Sequence, residues 1–120
     1  MPKRFVILHH RVDGGEHWDL LLEHGDVLLA WQLAREPIAR STLPIPARRL
    51  ADHRKRYLEY EGPVSNNRGT VRRIDTGTVR FEQITPSRYV VTLAGGRLMG
   101  RFTLTQEGDD WVFSVAETGA

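Results

Sequence analysis

The chain has 120 residues, 40% hydrophobic and 27% charged, with no cysteine and a formal net charge of +2. That composition suits one small soluble domain spanning residues 1–120, and it excludes disulfides and thiolate metal sites. No apolar run reaches the roughly 20 residues of a membrane helix, and Met1-Pro2-Lys3-Arg4 leads straight into a strand-like FVIL without the apolar core of a secretion signal, so no membrane partner and a cytoplasmic location are expected.

The kind of charge says more than its sum. Fifteen of the seventeen basic residues are arginine, and only Lys3 and Lys55 are lysine. Arginine's planar fork suits bidentate contact with phosphate. The clusters Arg48-Arg49, Arg54-Lys55-Arg56 and Arg72-Arg73 therefore point to a nucleic-acid partner. A genomic base-composition bias toward arginine accounts for the same excess equally well.

In chain order, residues 4–10 read as a strand, with Phe5, Ile7 and His9 on one face and Val6, Leu8 and His10 on the other. Val12-Asp13-Gly14-Gly15 is a turn signal, because Gly-Gly accepts the positive φ of a tight reversal. Residues 17–23 alternate, so His17, Asp19, Leu21 and Glu23 share one face and Trp18, Leu20 and Leu22 the other. With residues 27–33 they form a hairpin around His24-Gly25-Asp26, and Trp31 on the second arm belongs to the core. His10, His17 and Asp19 thus make a ligand set of two imidazoles and a carboxylate, suited to a divalent transition metal. The plainer alternative is a pair of strand-end histidines with no ligand role. His9, facing away from His10, and His24, expected in an exposed turn, are weaker candidates.

Residues 34–46 carry three prolines and no clear period, which predicts an irregular loop; residues 47–52 resume an extended pattern. Residues 52–60 look helical, with Asp52 as N-cap, which would place His53 and Tyr57 four apart on one face. Such a face is structural as readily as functional. After a loop over 61–69, strands are expected at 69–75, 78–84, 88–94, 97–105 and 111–116, with turns at Thr76-Gly77, Thr85-Pro86-Ser87, Gly95-Gly96 and Glu107-Gly108-Asp109-Asp110. Short strands at this spacing predict a mainly β protein, an antiparallel barrel or sandwich.

Several stretches together resemble the 3'-phosphoesterase domain of bacterial DNA ligase D: F-V-I-L-H-H, H-W-D-L-L-L-E-H-G-D-V-L-L-A-W, L-A-D-H-R-K-R-Y-L-E-Y-E-G, G-T-V, and V-T-L-A-G-G-R-L-M-G-R-F-T-L. The resemblance runs from about residue 4 to 115. It implies a compact antiparallel β-barrel with one or two short helices, processing DNA or DNA–RNA 3' ends. Such domains use a divalent metal, typically manganese, with zinc or another transition metal as alternatives. They remove a terminal ribonucleotide and then a 3'-phosphate, leaving a 3'-hydroxyl. The family's metal ligands fall on His10, His17 and Asp19, and its phosphate-contacting histidine–tyrosine pair on His53 and Tyr57. His10, His53 and Tyr57 are then the catalytic candidates. Histidine titrates near neutrality, so His53 could protonate a leaving group or bind a phosphate oxygen.

The chain departs from the family where an arginine usually follows two residues after the metal-binding Asp. Leu21 stands there, and leucine can neither donate nor carry charge. Leu8 and Ala51 replace a polar residue and a glutamate, and the loop after Glu61-Gly62 is shorter, without the family's Pro-Glu-Gly and Tyr-Gly elements. Arg54, Arg56 and Arg68 are the candidates to bind phosphate in place of the lost arginine, beside His53 and Tyr57. The extension before the first strand of ligase-linked members is also missing, so a stand-alone protein is expected, relying on separate ligase or polymerase proteins; with no exposed apolar stripe to mark an oligomer interface, it is expected to be a monomer. The competing class is an end-binding module that keeps the barrel and metal without turnover. A two-histidine-one-carboxylate iron oxygenase fits poorly, because its third ligand usually lies far downstream.

Overall fold

The computed structural model describes residues 2–116. Its strands are β1 (Lys3–Val12), β2 (Gly15–His24), β3 (Val27–Leu33), β4 (Ile45–Arg54), β5 (Gly62–Pro63), β6 (Thr70–Thr85), β7 (Arg88–Gly95), β8 (Met99–Glu107) and β9 (Asp110–Val115). All pairings are antiparallel, in the order β1-β2-β3-β4-β9-β8-β7-β6-β5, and β6 also pairs with β1, so the sheet closes into a ring. Two 3₁₀ turns, Arg40–Thr42 and Lys55–Leu58, are its helical elements among the described residues.

Alternation gives the ring two separate apolar layers. Inward-facing Phe5, Ile7, Leu20, Leu22, Trp31, Leu93, Phe102 and Phe113 form the main core. Outward-facing Val6, Leu8, Leu21, Leu28 and Ala30 form a second layer, covered by Leu58 and flanked by Tyr57, Tyr60 and Val64. The predicted faces of β1 and β2 agree with this division, and Trp31 is fully buried.

Three predicted elements need correction. Residues 69–75 and 78–84 are one continuous strand, β6, with no turn at Thr76-Gly77. Gly77 is there because a Cβ would lie 2.0 Å from the Ala94 carbonyl oxygen: the residue serves close strand approach, not chain reversal. The helix over 52–60 is also absent. β4 continues to Arg54, since His53 pairs with Leu28 and Arg54 with Val27, and only Lys55–Leu58 turns, as 3₁₀. Asp52 caps nothing and instead approaches Arg49 at 3.8 Å; strand pairing has overridden local helix preference. Finally, β4 starts at Ile45, inside the expected loop, and His24 ends β2 half-buried, edge-on to Phe81 at 5.4 Å.

The glycine-rich signature has a structural partner that its sequence does not announce. Asp75, nearly buried, accepts the backbone N–H groups of Thr76, Gly96, Arg97 and Leu98. It ties a bulge in β6 to the β7–β8 turn, and a Cβ on Gly95 would come within 2.8 Å of its carboxylate. Closure between β4 and β9 rests on three pairs, Ile45–Phe113, Pro46–Val112 and Ala47–Trp111.

Outside the ring, Glu23 accepts the N–H of Arg4 and meets Lys55 Nζ at 3.1 Å. The hydrogen bond from Arg4, then Lys55, holds its carboxyl below the usual glutamate range against a smaller opposing desolvation.

Replacing Asp75 by alanine strands several buried N–H groups and is expected to destabilise the fold by about 3 kcal/mol or more, read from urea unfolding. Because Glu23 titrates lower in the folded state, its contribution is present above the ordinary glutamate value of about 4.3 and is lost as pH falls from there through the depressed value. The acid limb of stability against pH is therefore expected to be shallower in Glu23→Gln than in wild type.

Candidate metal centre

The register of β1 and β2 sets His10 opposite His17 and Leu8 opposite Asp19. Directly opposed residues of an antiparallel pair share a face, so the two imidazoles and the carboxylate meet on the outer surface of the ribbon. The two rings lie edge to face with centroids 4.6 Å apart. Asp19, 3% exposed, offers Oδ1 at 2.9 Å from His17 Nδ1 and Oδ2 at 3.4 Å from His10 Nδ1. One ligand atom from each residue lies within 4.8 Å of the others.

The proton on His10 is fixed by its other contact. Nε2 lies 2.5 Å from the Arg68 carbonyl oxygen, which can only accept, so Nε2 carries the hydrogen. In the neutral ring Nδ1 then points a lone pair at Asp19 Oδ2. Two acceptors facing each other repel, and a cation between them turns the repulsion into coordination. Two nitrogens and a carboxylate oxygen fit manganese, zinc or a similar divalent ion.

Beside this triad opens a cleft of about 560 Å³, lined by His10, Asp19, His53, Arg54, Arg56, Tyr57 and Arg68. His53 reaches it from β4. Its Nδ1 donates to the Ala51 carbonyl at 2.9 Å, leaving Nε2 available. Tyr57 comes from the 3₁₀ turn, with its ring edge-on to His53 at 5.8 Å. The predicted pair is thus brought together by a strand and a turn rather than by one helix face.

The arginines divide by what they touch. The Arg56 guanidinium lies 4.7 Å above Tyr60 and 5.5 Å above Tyr57. Arg54, Arg56 and Arg68 take no part in the ion pairs of the described residues. Arg49 is engaged elsewhere, over the Trp31 ring at 4.4 Å and on the Tyr89 hydroxyl. Arg73 donates to the Leu58 carbonyl.

Residues 8–106, which include the triad and the cleft, match the family described as the DNA ligase D 3'-phosphoesterase domain. The chain belongs to that family. It is 29% identical over 116 residues to the multifunctional non-homologous end joining protein LigD of Mycobacterium bovis. Identity is also 29% over 116 residues to the multifunctional non-homologous end joining DNA repair protein LigD of Mycobacterium tuberculosis. Each match covers 90% of this chain but only 15% of the relative.

Within the 3'-phosphoesterase family pattern, the departures noted in the sequence now have places. Leu21 is fully buried in the outer apolar layer, on the triad's face. Leu8, also buried, lines the base of the cleft, and Ala51 is exposed at its edge. Buried apolar packing therefore stands where the resemblance places an arginine. His9 stands apart on the inner face, stacked on Trp18 at 5.1 Å and 2.8 Å from Glu16. His24 lines a separate groove of about 630 Å³ with Lys3 and Phe81, toward the other end of β1 and β2. Sequence reading missed Tyr60, which carries Arg56 and whose spacing from Tyr57 was the available signal. It also missed the Arg68 carbonyl, which no side-chain pattern could reveal.

Because Leu21 is fully buried in the outer apolar layer, Leu21→Arg is expected to cost about 3 kcal/mol of stability in denaturant unfolding rather than to restore a phosphate clamp.

Proposed function

We propose that this chain is a metal-dependent phosphoesterase acting on nucleic-acid 3' ends in DNA repair, and that its closed sheet is a compact β-barrel carrying the site on its outer wall. The observation that carries this reading is the meeting of His10, His17 and Asp19 beside a cleft lined by His53, Tyr57 and arginines that have no carboxylate partner among the described residues. The reaction is removal of a 3'-ribonucleotide or 3'-phosphate to leave a 3'-hydroxyl.

His10, His17 and Asp19 would hold the ion, manganese before zinc, which supplies Lewis-acid polarisation of a phosphoryl oxygen. His53 Nε2, with Nδ1 committed to Ala51, binds a phosphate oxygen when protonated or passes its proton to the leaving oxygen. Tyr57 donates its hydroxyl hydrogen to a second phosphate oxygen. Arg54, Arg56 and Arg68 line the cleft with positive charge that offsets the negative charge growing at phosphorus. The domain works as a monomer in the cytoplasm, on DNA or DNA–RNA ends.

Leu21 favours a second reading, an end-binding module without turnover, since a buried leucine where the family usually has arginine offers phosphate no donor. Release of inorganic phosphate from a 3'-phosphorylated oligonucleotide, with and without manganese, separates the two. Manganese-stimulated release is expected, with His17→Ala and Asp19→Ala lowering it at least 100-fold and His53→Ala nearly as much. Binding of the oligonucleotide without product in any divalent metal would decide for the module.

A further inference from the structure

We propose that residues 64–69 form a positioning loop whose task is to fix the ring of His10, with the Arg68 backbone carbonyl as the contact that does so. The inference rests on the metal-centre reading above and deepens it, in the very segment where the chain departs from its family.

The loop is locked to itself and to β1. Val64 N–H donates to the Gly69 carbonyl at 2.8 Å, closing the turn. Asn66 and Asn67 take left-handed φ values of 63° and 56°, which asparagine tolerates better than most residues. Arg68 folds its side chain back, donating from Nε to the Ser65 carbonyl at 2.8 Å and from Nη2 to Ser65 Oγ at 3.3 Å. At Gly69, φ is 87° and a Cβ would fall 1.9 Å from the carbonyl oxygen of Arg11, the residue after His10. Glycine alone lets the loop lie this close to the strand that bears the ligand.

What the lock delivers is one carbonyl at 2.5 Å from His10 Nε2. An imidazole can ligate through either nitrogen, and the group on the far nitrogen decides which is free and where the ring plane points. Here Nε2 is occupied and Nδ1 is turned toward Asp19 Oδ2. Arg68 therefore acts through His10, in addition to any charge it lends the cleft. Its guanidinium keeps the loop shut, and its carbonyl orients the ligand.

The test compares wild type, Gly69→Ala and Arg68→Ala by two measurements. NMR of the metal-free protein reads the ring nitrogens of His10, and calorimetry with manganese chloride reads affinity. In wild type, His10 is expected as a single tautomer protonated at Nε2. In both variants its nitrogen signals should average, and manganese should bind 10–100-fold more weakly, as outer contacts of a ligand typically impose. Folded variants that keep the wild-type nitrogen signals and bind manganese within about twofold would overturn the proposal. A loop with a merely structural role would lower the melting temperature and move neither readout. Should Gly69→Ala fail to fold, Arg68→Ala decides, since it opens the lock but retains the carbonyl. A wild type that binds no manganese removes the metal centre itself, and the His10 nitrogens of the metal-free protein then judge the loop alone.

Discussion

The site depends on the register of one two-stranded ribbon. His10 faces His17, and Leu8 faces Asp19, because β1 and β2 pair without interruption from Val12–Gly15 back to Phe5–Leu22. A slip of one residue would turn the ligands of one strand to the inner face and bring Trp18 or His9 outward. That slip is opposed from both sides. Phe5, Ile7, Leu20 and Leu22 are held in the main core, while Val6, Leu8 and Leu21 are held in the outer layer. The ligand geometry is therefore underwritten by apolar packing on both faces rather than by any contact among the ligands.

The outer layer has a chemical consequence. It raises a second, smaller hydrophobic surface outside the ring, roofed by the turn Lys55–Leu58, and the cleft lies where that roof meets β1 and β4. Buried Leu8 and Val71 give the cleft an apolar lining, while His53, Arg54, Arg56 and Arg68 line it with polar groups.

The triad was legible in the sequence because strand alternation is local. Once His17 and Asp19 occupy one face and a turn separates them from His10, their meeting needs only a hairpin. The helix expected over His53 and Tyr57 was misread for the opposite reason. Its residues have no strand signature of their own, and pairing with Val27 and Leu28 decides their conformation. Thr76-Gly77 failed similarly, since a glycine needed for close contact with Ala94 looks in sequence like a glycine needed for a turn. Asp75 and the Arg68 carbonyl escaped altogether. Besides its neighbour Thr76, the partners of the first are backbone N–H groups 21 to 23 residues away, and the second is itself backbone.

The short closure between β4 and β9 bears on how the cleft behaves. Among the described residues, Ile45, Pro46 and Ala47 alone bridge to β9, and proline contributes no N–H donor to that seam. Beyond it, β4 runs on toward His53 with β3 alone beside it, whereas β1 is flanked on both edges by β2 and β6. The two sides of the cleft thus differ in stiffness. His10 stands on a strand paired along both edges, whereas past Ala47 the strand that carries His53 is paired along one.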